Sequence, residues 1–456
     1  MAHRILIVGY GTAGISLATD LRRRGLEVVG FLDDNATEPE VLGRLADVNE
    51  IIVQHRIDVV HIAIPSGTAK TVRDFIDAIE SPDVELGIVP RTYGTLSKES
   101  VHLADLTDVD VLDLVGRAPV KHDLLAAREF IAGRRVLVTG AAGSIGSRLT
   151  QLIVAMDPAG VTAVDASENG VFRLGESLGP RENVALRIAD ITNARRMEQI
   201  FAEARPDLVF HAAAFKHVPL MQDNPIEAIN NNVGGTLAMM RLAIAHGSSD
   251  FVMISTDKAV NPVNVMGSTK RLGEMLMQAL SAGQHRTKFS AVRFGNVIES
   301  NGSVVETFRA QIANKQPLTV THPDITRFFM TIDEASHLVI QSAMLADHSE
   351  IFVLDMGEPV KIADLARSLI HAVDRSLDIE FVGLRPGEKM FEELSYDLDK
   401  VDRTSNSKIF IVRDELPFDH EAFLTSIETL LDDTREYRIS ADDAITRLRE
   451  MGFAVQ

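Results

Sequence analysis

Val138-Thr139-Gly140-Ala141-Ala142-Gly143-Ser144-Ile145-Gly146 is the stretch from which the rest of the chain becomes readable. The run Arg135-Val136-Leu137-Val138 leads directly into a Gly-x-x-Gly-x-x-Gly turn, and a helical pattern follows from Ser147. Glycines at this spacing let the backbone turn sharply and approach a pyrophosphate. They also open a helix whose first amides face the anion. Gly140, Gly143, Ser144, Ile145 and Gly146 are therefore candidate cofactor contacts.

A second glycine turn lies near the N-terminus. Arg4-Ile5-Leu6-Ile7-Val8 runs into Gly9-Tyr10-Gly11-Thr12-Ala13-Gly14, and the next strand-like run, Val28–Leu32, ends at Asp33. An acidic residue about 20 positions past such glycines suits a ribose diol. Gly9, Gly11, Gly14 and Asp33 thus form a possible second nucleotide site. Equally, the glycines serve only to let a helix pack closely on a strand.

Between and beyond these turns, strand and helix signals alternate, which is the pattern of parallel α/β units. In the first unit Asp58–Ile64 and Val84–Val89 read as strands, with a helix over 67–80. The pattern loosens from Asp105 to Pro119, and 121–132 reads as a helix entering the second unit. There the strands are expected at 134–139, 161–165, 184–189, 208–213, 251–255 and 289–294. The fold class is α/β, with two Rossmann-type doubly wound parallel-sheet units, at 1–118 and 119–456.

Asp165 ends the second of those strands, where a carboxylate can accept from both adenosine ribose hydroxyls. That favours NAD over NADP, because a 2′-phosphate would meet the carboxylate and no arginine directly follows it. Asp190, with Ile191 beside it, closes the third strand and is placed to meet the adenine. Ala212 at the end of the fourth completes the expected cofactor contacts. Either Asp can also be read as a helix cap or a loop carboxylate.

Composition narrows the function classes. The chain has 456 residues, 45% hydrophobic and 24% charged, as in an ordinary globular protein. A net charge of −19 argues against a nucleic-acid partner. The absence of cysteine excludes disulfides and thiolate metal sites and fits a reducing, cytoplasmic compartment. No stretch of about 18 apolar residues offers a membrane span, and no signal peptide is apparent. His211 and His217 lack metal-ligand spacing and an acidic cluster, so no metal site is read.

Chemistry is concentrated at Ser255-Thr256-Asp257-Lys258, which follows a strand, and at Met266-Gly267-Ser268-Thr269-Lys270, which opens a helix. Short-chain dehydrogenases carry Tyr-x-x-x-Lys on that helix. Here Lys270 is present and Met266 stands where the tyrosine would be, and a thioether cannot transfer a proton. Read alone, the Met is packing, Lys270 is a surface charge, and Asp257 with Lys258 is a surface ion pair.

These stretches occur in one order with His211–Pro219, Arg293-Phe294-Gly295-Asn296-Val297, Arg327–Thr331, Val353–Gly357 and Arg385-Pro386-Gly387-Glu388-Lys389. Over roughly 123–402 the chain resembles the bacterial UDP-N-acetylglucosamine 4,6-dehydratases of polysaccharide and glycan assembly, which are extended short-chain dehydrogenases. Met in place of Tyr resembles their large-type branch, whose extra N-terminal Rossmann-like domain the first unit matches. Large members usually carry transmembrane helices ahead of that domain, and this chain opens directly on it. The resemblance implies a small C-terminal substrate-binding part, mainly from about 295–330 and 380–456. It also implies NAD as cofactor, a UDP-sugar as substrate and a homo-oligomer.

The implied reaction is redox-neutral. Hydride passes from sugar C4 to NAD⁺, the resulting ketone acidifies C5, water is lost across C5 and C6, and hydride returns at C6. By resemblance Asp257 protonates the C6 oxygen, Lys258 removes the C5 proton, and Thr256 bonds the C4 hydroxyl. The lysine's role calls for an amine that gives up its proton readily, which desolvation promotes. Lys270 holds the nicotinamide ribose. A water, or a relay through Thr256, would take the C4 hydroxyl proton. Asn296, Arg327 and Arg385 are expected on the UDP phosphates, and Lys216 on the sugar or cofactor. A 5,6-dehydratase or an epimerase on the same scaffold is the enzymatic alternative. A non-catalytic nucleotide-binding sensor is the alternative of another class.

Overall fold

The computed structural model describes residues 3–90, 101–107, 109, 111–115, 123–283, 286–298, 300, 302–394, 401–412 and 418–456. Two compact units divide the chain. The first comprises Met1–Lys121, Gly302–Phe329 and Pro359–Gly383, and the second His122–Asn301, Met330–Glu358 and Leu384–Gln456. The boundary expected at 118/119 falls outside the described residues. The two stretches expected to form the substrate-binding part are each divided between the units.

The first unit starts with β1 (Arg4–Val8), α1 (Thr12–Arg23), β2 (Glu27–Leu32), β3 (Val41–Gly43), α2 (Val48–His55) and β4 (Val59–Ile62). It continues with α3 (Ala69–Ala78), β5 (Glu85–Ile88) and α4 (Val111–Val115). Its sheet runs β3-β2-β1-β4-β5, parallel throughout. β1 and β4 are almost wholly buried runs of branched residues, as strands covered on both faces must be. Leu17, Ala18 and Leu21 on one face of α1 pack on Ile5, Ile7, Phe31 and Val59. The sequence reading missed β3 and α2.

The second unit opens with α5 (Leu124–Ile131), β6 (Arg135–Thr139), α6 (Ser144–Val154), β7 (Gly160–Asp165), α7 (Glu168–Leu178) and β8 (Val184–Ile188). Next come α8 (Ala194–Ala204), β9 (Leu208–His211), α9 (Val218–Asp223) and α10 (Pro225–Ala228). After one π-helical turn (Ile229–Gly235) follow α11 (Thr236–Ala245), β10 (Asp250–Ile254), α12 (Val265–Ala282) and β11 (Lys288–Arg293). These strands lie in the order β11-β10-β9-β6-β7-β8, all parallel. Strand Ser349–Leu354 extends the β11 edge in parallel, and Ile409–Val412 then pairs with it antiparallel.

Both sheets reverse their winding at the strand that carries a glycine turn, between β1 and β4 and between β6 and β9. That crevice, beyond the carboxyl ends of the strands, is where open α/β sheets place ligands. The expected strands all form. Their ends move by one or two residues. The clearest case is β8, which stops at Ile188 and leaves Asp190 in the following loop.

Candidate active site

The turn between β6 and α6 has no room for side chains. A Cβ on Gly140, which has φ +65°, would lie 2.5 Å from Ala213 N, and a Cβ on Gly146 would lie 2.0 Å from Gly140 O. The backbone after β9, including Ala212, is thus pressed against the turn. Helix α6 begins at the cap residue Gly143 with no side-chain cap. First-turn amides have no acceptor within their own helix, so Ser144, Ile145 and Gly146 offer the donors an anion needs.

Asp165 stands at the rim of this turn. Its Oδ2 accepts from Ala142 N (2.9 Å) and its Oδ1 from Ser167 N (2.9 Å). An ionised carboxylate has about four lone-pair sites, so acceptor capacity remains for ribose hydroxyls. Asp190 is exposed and its Oδ1 accepts from Thr192 N (2.8 Å) and Thr192 Oγ1 (2.7 Å). Neighbouring Ile191 is buried against Gly235. These features fit an adenosine diphosphate.

Beneath the turn, His211 is fully buried. One ring nitrogen bonds Thr139 Oγ1 (2.7 Å) and the other Thr236 Oγ1 (2.9 Å). Burial, then the nearby Lys270 charge, holds its pKa down at about 3. The ring is neutral and structural.

Helix α12 carries Met266 and Lys270 one turn apart, both buried. Burial lowers the Lys270 pKa to about 8, with Glu274 acting against that shift. Asn232, on the π-helical turn, fixes the loop after β9 to this helix. Its side chain accepts from Phe215 N (2.8 Å), donates to Phe215 O (3.0 Å) and donates to Thr269 Oγ1 (3.0 Å). The sequence reading passed over Asn232, although three consecutive asparagines in an apolar helical stretch are a signal. Lys216, in the loop so fixed, is exposed.

The end of β10 presents the acid–base group. Asp257 is fully buried, and its Oδ1 accepts from Thr256 Oγ1 (2.9 Å) and from Lys258 Nζ (3.1 Å). Asp257 Oδ2 makes no hydrogen bond among the described residues. Lys258 Nζ also reaches Asn296 Oδ1 (3.2 Å) and Glu392 Oε1 (3.3 Å). This is no surface ion pair. Asn296 touches the lysine, a contact the sequence reading did not foresee for it. Glu392 was missed altogether, for nothing local distinguishes it from any other glutamate.

A second buried network supports the strand end. Glu274 accepts from Ser255 Oγ (2.7 Å), from Arg293 Nε and Nη2 (both 2.7 Å) and from Arg271 Nη1 (3.0 Å). Burial pushes the Glu274 carboxyl up, but Arg293 and Arg271 outweigh it and hold the pKa at about 2. Ser255 and Arg293 flank the chemistry on β10 and β11, so this network sets the floor of the site.

Residues 385–394 are tied to the loop after β10. Asn264 Nδ2 donates to Gly387 O (2.9 Å), Lys389 Nζ to Val260 O (2.9 Å), and Asn261 Nδ2 to Glu393 Oε2 (3.2 Å). Arg385 is exposed, in a turn closed by Glu388 N donating to Arg385 O (3.0 Å). Arg327 belongs to the first unit, where it is buried and donates to Thr326 O (2.8 Å).

The first unit's turn repeats the geometry. Gly9 has φ +102°, and a Cβ on Gly14 would lie 2.0 Å from Gly9 O. Asp33 Oδ2 accepts from Tyr10 N (2.8 Å), and its Oδ1 from Asn35 N (2.8 Å) and Ala36 N (3.0 Å). The Tyr10 amide leads in holding this carboxyl below its ordinary range, against burial. A Cβ on Gly11 would meet nothing within 4 Å. Among the described residues no helix is long and apolar enough to cross a membrane, and no three His, Asp or Glu side chains group to hold a metal.

Comparison with known proteins follows the same lines. The family model described as polysaccharide biosynthesis protein matches residues 136–414, more than half the chain. The capsular polysaccharide biosynthesis protein CapD of Staphylococcus aureus is 42% identical over 407 residues, covering 85% of this chain and 68% of that protein. A UDP-N-acetylglucosamine 4,6-dehydratase (inverting) of Campylobacter jejuni is 32% identical, over 57% of this chain and 77% of its own length. A UDP-glucose 4-epimerase of Rickettsia canadensis is 34% identical over the same shares. Among solved structures, Pen from Bacillus thuringiensis is similar with a TM-score of 0.58 and 32% identity, over 66% of this chain and 98% of that one.

Proposed function

Because the chain belongs to the polysaccharide biosynthesis protein family of extended short-chain dehydrogenases, we propose that it is an NAD-dependent nucleotide-sugar 4,6-dehydratase acting on UDP-N-acetylglucosamine. One observation carries this reading: a buried Asp257 bonded to Lys258 at the carboxyl end of β10. An epimerase needs no acid–base pair for C5 and C6; a dehydratase does.

Bound NAD supplies reversible hydride exchange with the sugar, at C4 first and at C6 last. Gly140, Gly143, Ser144, Ile145 and Gly146 hold its pyrophosphate, Asp165 its adenosine ribose, and Lys270 its nicotinamide ribose. Asp190, Ile191 and Ala212 line the same cleft. Thr256 bonds the C4 hydroxyl. Lys258 removes the C5 proton once C4 is a ketone. Asp257 delivers a proton to the C6 oxygen, which leaves as water. Each of these two transfers is worth roughly 10²–10⁴-fold. Met266 takes no part in proton transfer. Arg385 and Lys216 are assigned to the UDP-sugar, and Asn296 positions Lys258. A homo-oligomer belongs to the same proposal.

The similarity to a UDP-glucose 4-epimerase favours a second reading, an epimerase. Proton NMR of UDP-N-acetylglucosamine incubated with the protein separates the readings. A new C6 methyl doublet supports the dehydratase. A retained hydroxymethyl with inverted C4 supports the epimerase, an exocyclic alkene a 5,6-dehydratase, and no change a sensor.

A further inference from the structure

Lys258 Nζ lies within 3.1–3.3 Å of three oxygens, on Asp257, Asn296 and Glu392. It donates hydrogen bonds to Asp257 and Asn296 and forms an ion pair with Glu392, a setting that suits the ammonium. An ammonium has no lone pair with which to remove a proton from C5. It must first pass one of its own protons to a neighbour. The Asn296 amide oxygen takes none. Asp257 has to arrive at the elimination carrying the proton for the C6 oxygen. Of these three groups Glu392 is left, with a side chain only 2% exposed. It sits on the 385–394 segment, which is pinned to the β10 loop on both sides of it by Gly387, Lys389 and Glu393.

We propose that Glu392 is a positioning residue for the reaction: it orients Lys258 and takes the proton that Lys258 sheds before acting at C5. The inference rests on the dehydratase reading above. The proton leaves Nζ for Glu392 Oε1. The freed lone pair removes the C5 hydrogen as a proton, the C5–H electrons form the C5=C6 bond, and the C6–O bond breaks. The Asp257 proton goes to the departing oxygen, which leaves as water. The ketone at C4 that makes this elimination feasible comes from the preceding hydride transfer to NAD. Asp257 and Glu392 thus divide the two proton tasks that flank one amine.

The test compares Glu392→Gln and Glu392→Asp with the unaltered full chain, using UDP-N-acetylglucosamine. Gln keeps an acceptor oxygen but cannot take up a proton. Its kcat should fall by about 10²-fold, the scale for a displaced or uncoupled catalytic group. KM should stay within about twofold, since the variant still binds the ground state. Incorporation of solvent deuterium at C5 should slow in parallel. Asp restores the carboxylate one methylene back and should recover part of the rate. Equal thermal midpoints for the three proteins show that folding is intact. A Gln variant with unaltered kcat and C5 exchange, or an Asp variant no better than Gln, overturns the role of Glu392. If the unaltered protein itself yields no dehydrated product, the dehydratase reading fails instead, and the two failures are distinguishable.

Discussion

The chain builds the same glycine turn twice, and among the described residues the second is the one beside a buried acid–base group. In each unit a carboxylate 23 residues past a turn residue accepts from that residue's amide, Asp33 from Tyr10 and Asp165 from Ala142. In each, a Cβ on the last glycine would sit 2.0 Å from the carbonyl of the first. In each, the strand beside the turn carries a buried histidine, His61 in register with Ile7 and His211 with Thr139. The surroundings then diverge. His211 finds hydroxyl partners on both nitrogens, whereas His61 Nδ1 has none among the described residues. In the second sheet β10 takes the place that β5 has in the first, and β11 lies beyond it; the ends of these two strands carry Ser255–Lys258 and Arg293–Asn296. A glycine turn specifies where a nucleotide fits; the strands beyond the winding reversal specify what is done to it.

The largest effects belong to the end of β10. Lys258→Met and Asp257→Asn should each cost roughly 10²–10⁴-fold in turnover with substrate binding nearly unaltered, while Met266→Leu should be mild. Kinetics of the three variants decide this. Turnover near the unaltered rate in Lys258→Met, or equal damage in Met266→Leu, would remove the assigned roles.

Next in size is the floor beneath them. Glu274→Gln strips the charge that balances Arg293, which is 0% exposed. Leaving a buried charge without its partner costs about 3–5 kcal/mol, measurable by urea unfolding. A loss below about 1 kcal/mol would mean that the network does not hold the strand ends.

Much of this was legible in the residues. The two turns and the carboxylates Asp33 and Asp165 stand at a regular spacing along the chain, and Asp257 lies next to Lys258, so spacing alone singles them out. β3 and α2 were not read, because Val41–Gly43 is too short to show alternation and α2 spans barely two turns. Glu392, Glu274 and Asn232 were not legible for another reason. Most of their partners lie on other elements, and a glutamate or asparagine by itself carries no sign of what it will meet.

The carboxylates at the turns sharpen the comparison further. Asp165→Ala should weaken NAD by about 10-fold or more, the scale of a charged hydrogen bond, and lessen discrimination against NADP. In the first unit we propose a nucleotide site at Gly9, Gly11, Gly14 and Asp33. There Gly11→Arg should remove one nucleotide equivalent by calorimetry. If one equivalent binds before and after that change, the first turn is structural.

The buried histidines give the smallest effect and a pH signature. Burial lowers His61 to about 4, and burial with Lys270 lowers His211 to about 3. Both folded values lie below the ordinary 6.5, so their stability is full above pH 6.5 and is lost as pH falls toward the folded values. His211→Leu should cost about 1–3 kcal/mol at neutral pH by stranding two buried hydroxyls. His61→Leu should be close to neutral there and should stabilise the first unit at pH 5. Equal losses at both positions would show that the two histidines are equivalent after all.

The most direct measurement is proton NMR of UDP-N-acetylglucosamine turned over in deuterated water. Hydride carried from C4 to C6 and a C5 proton exchanged through Lys258 should give a methyl group with three hydrogens and no doublet splitting, because C5 then carries deuterium. A substrate whose C6 remains a hydroxymethyl group would contradict the reaction assigned to the second unit.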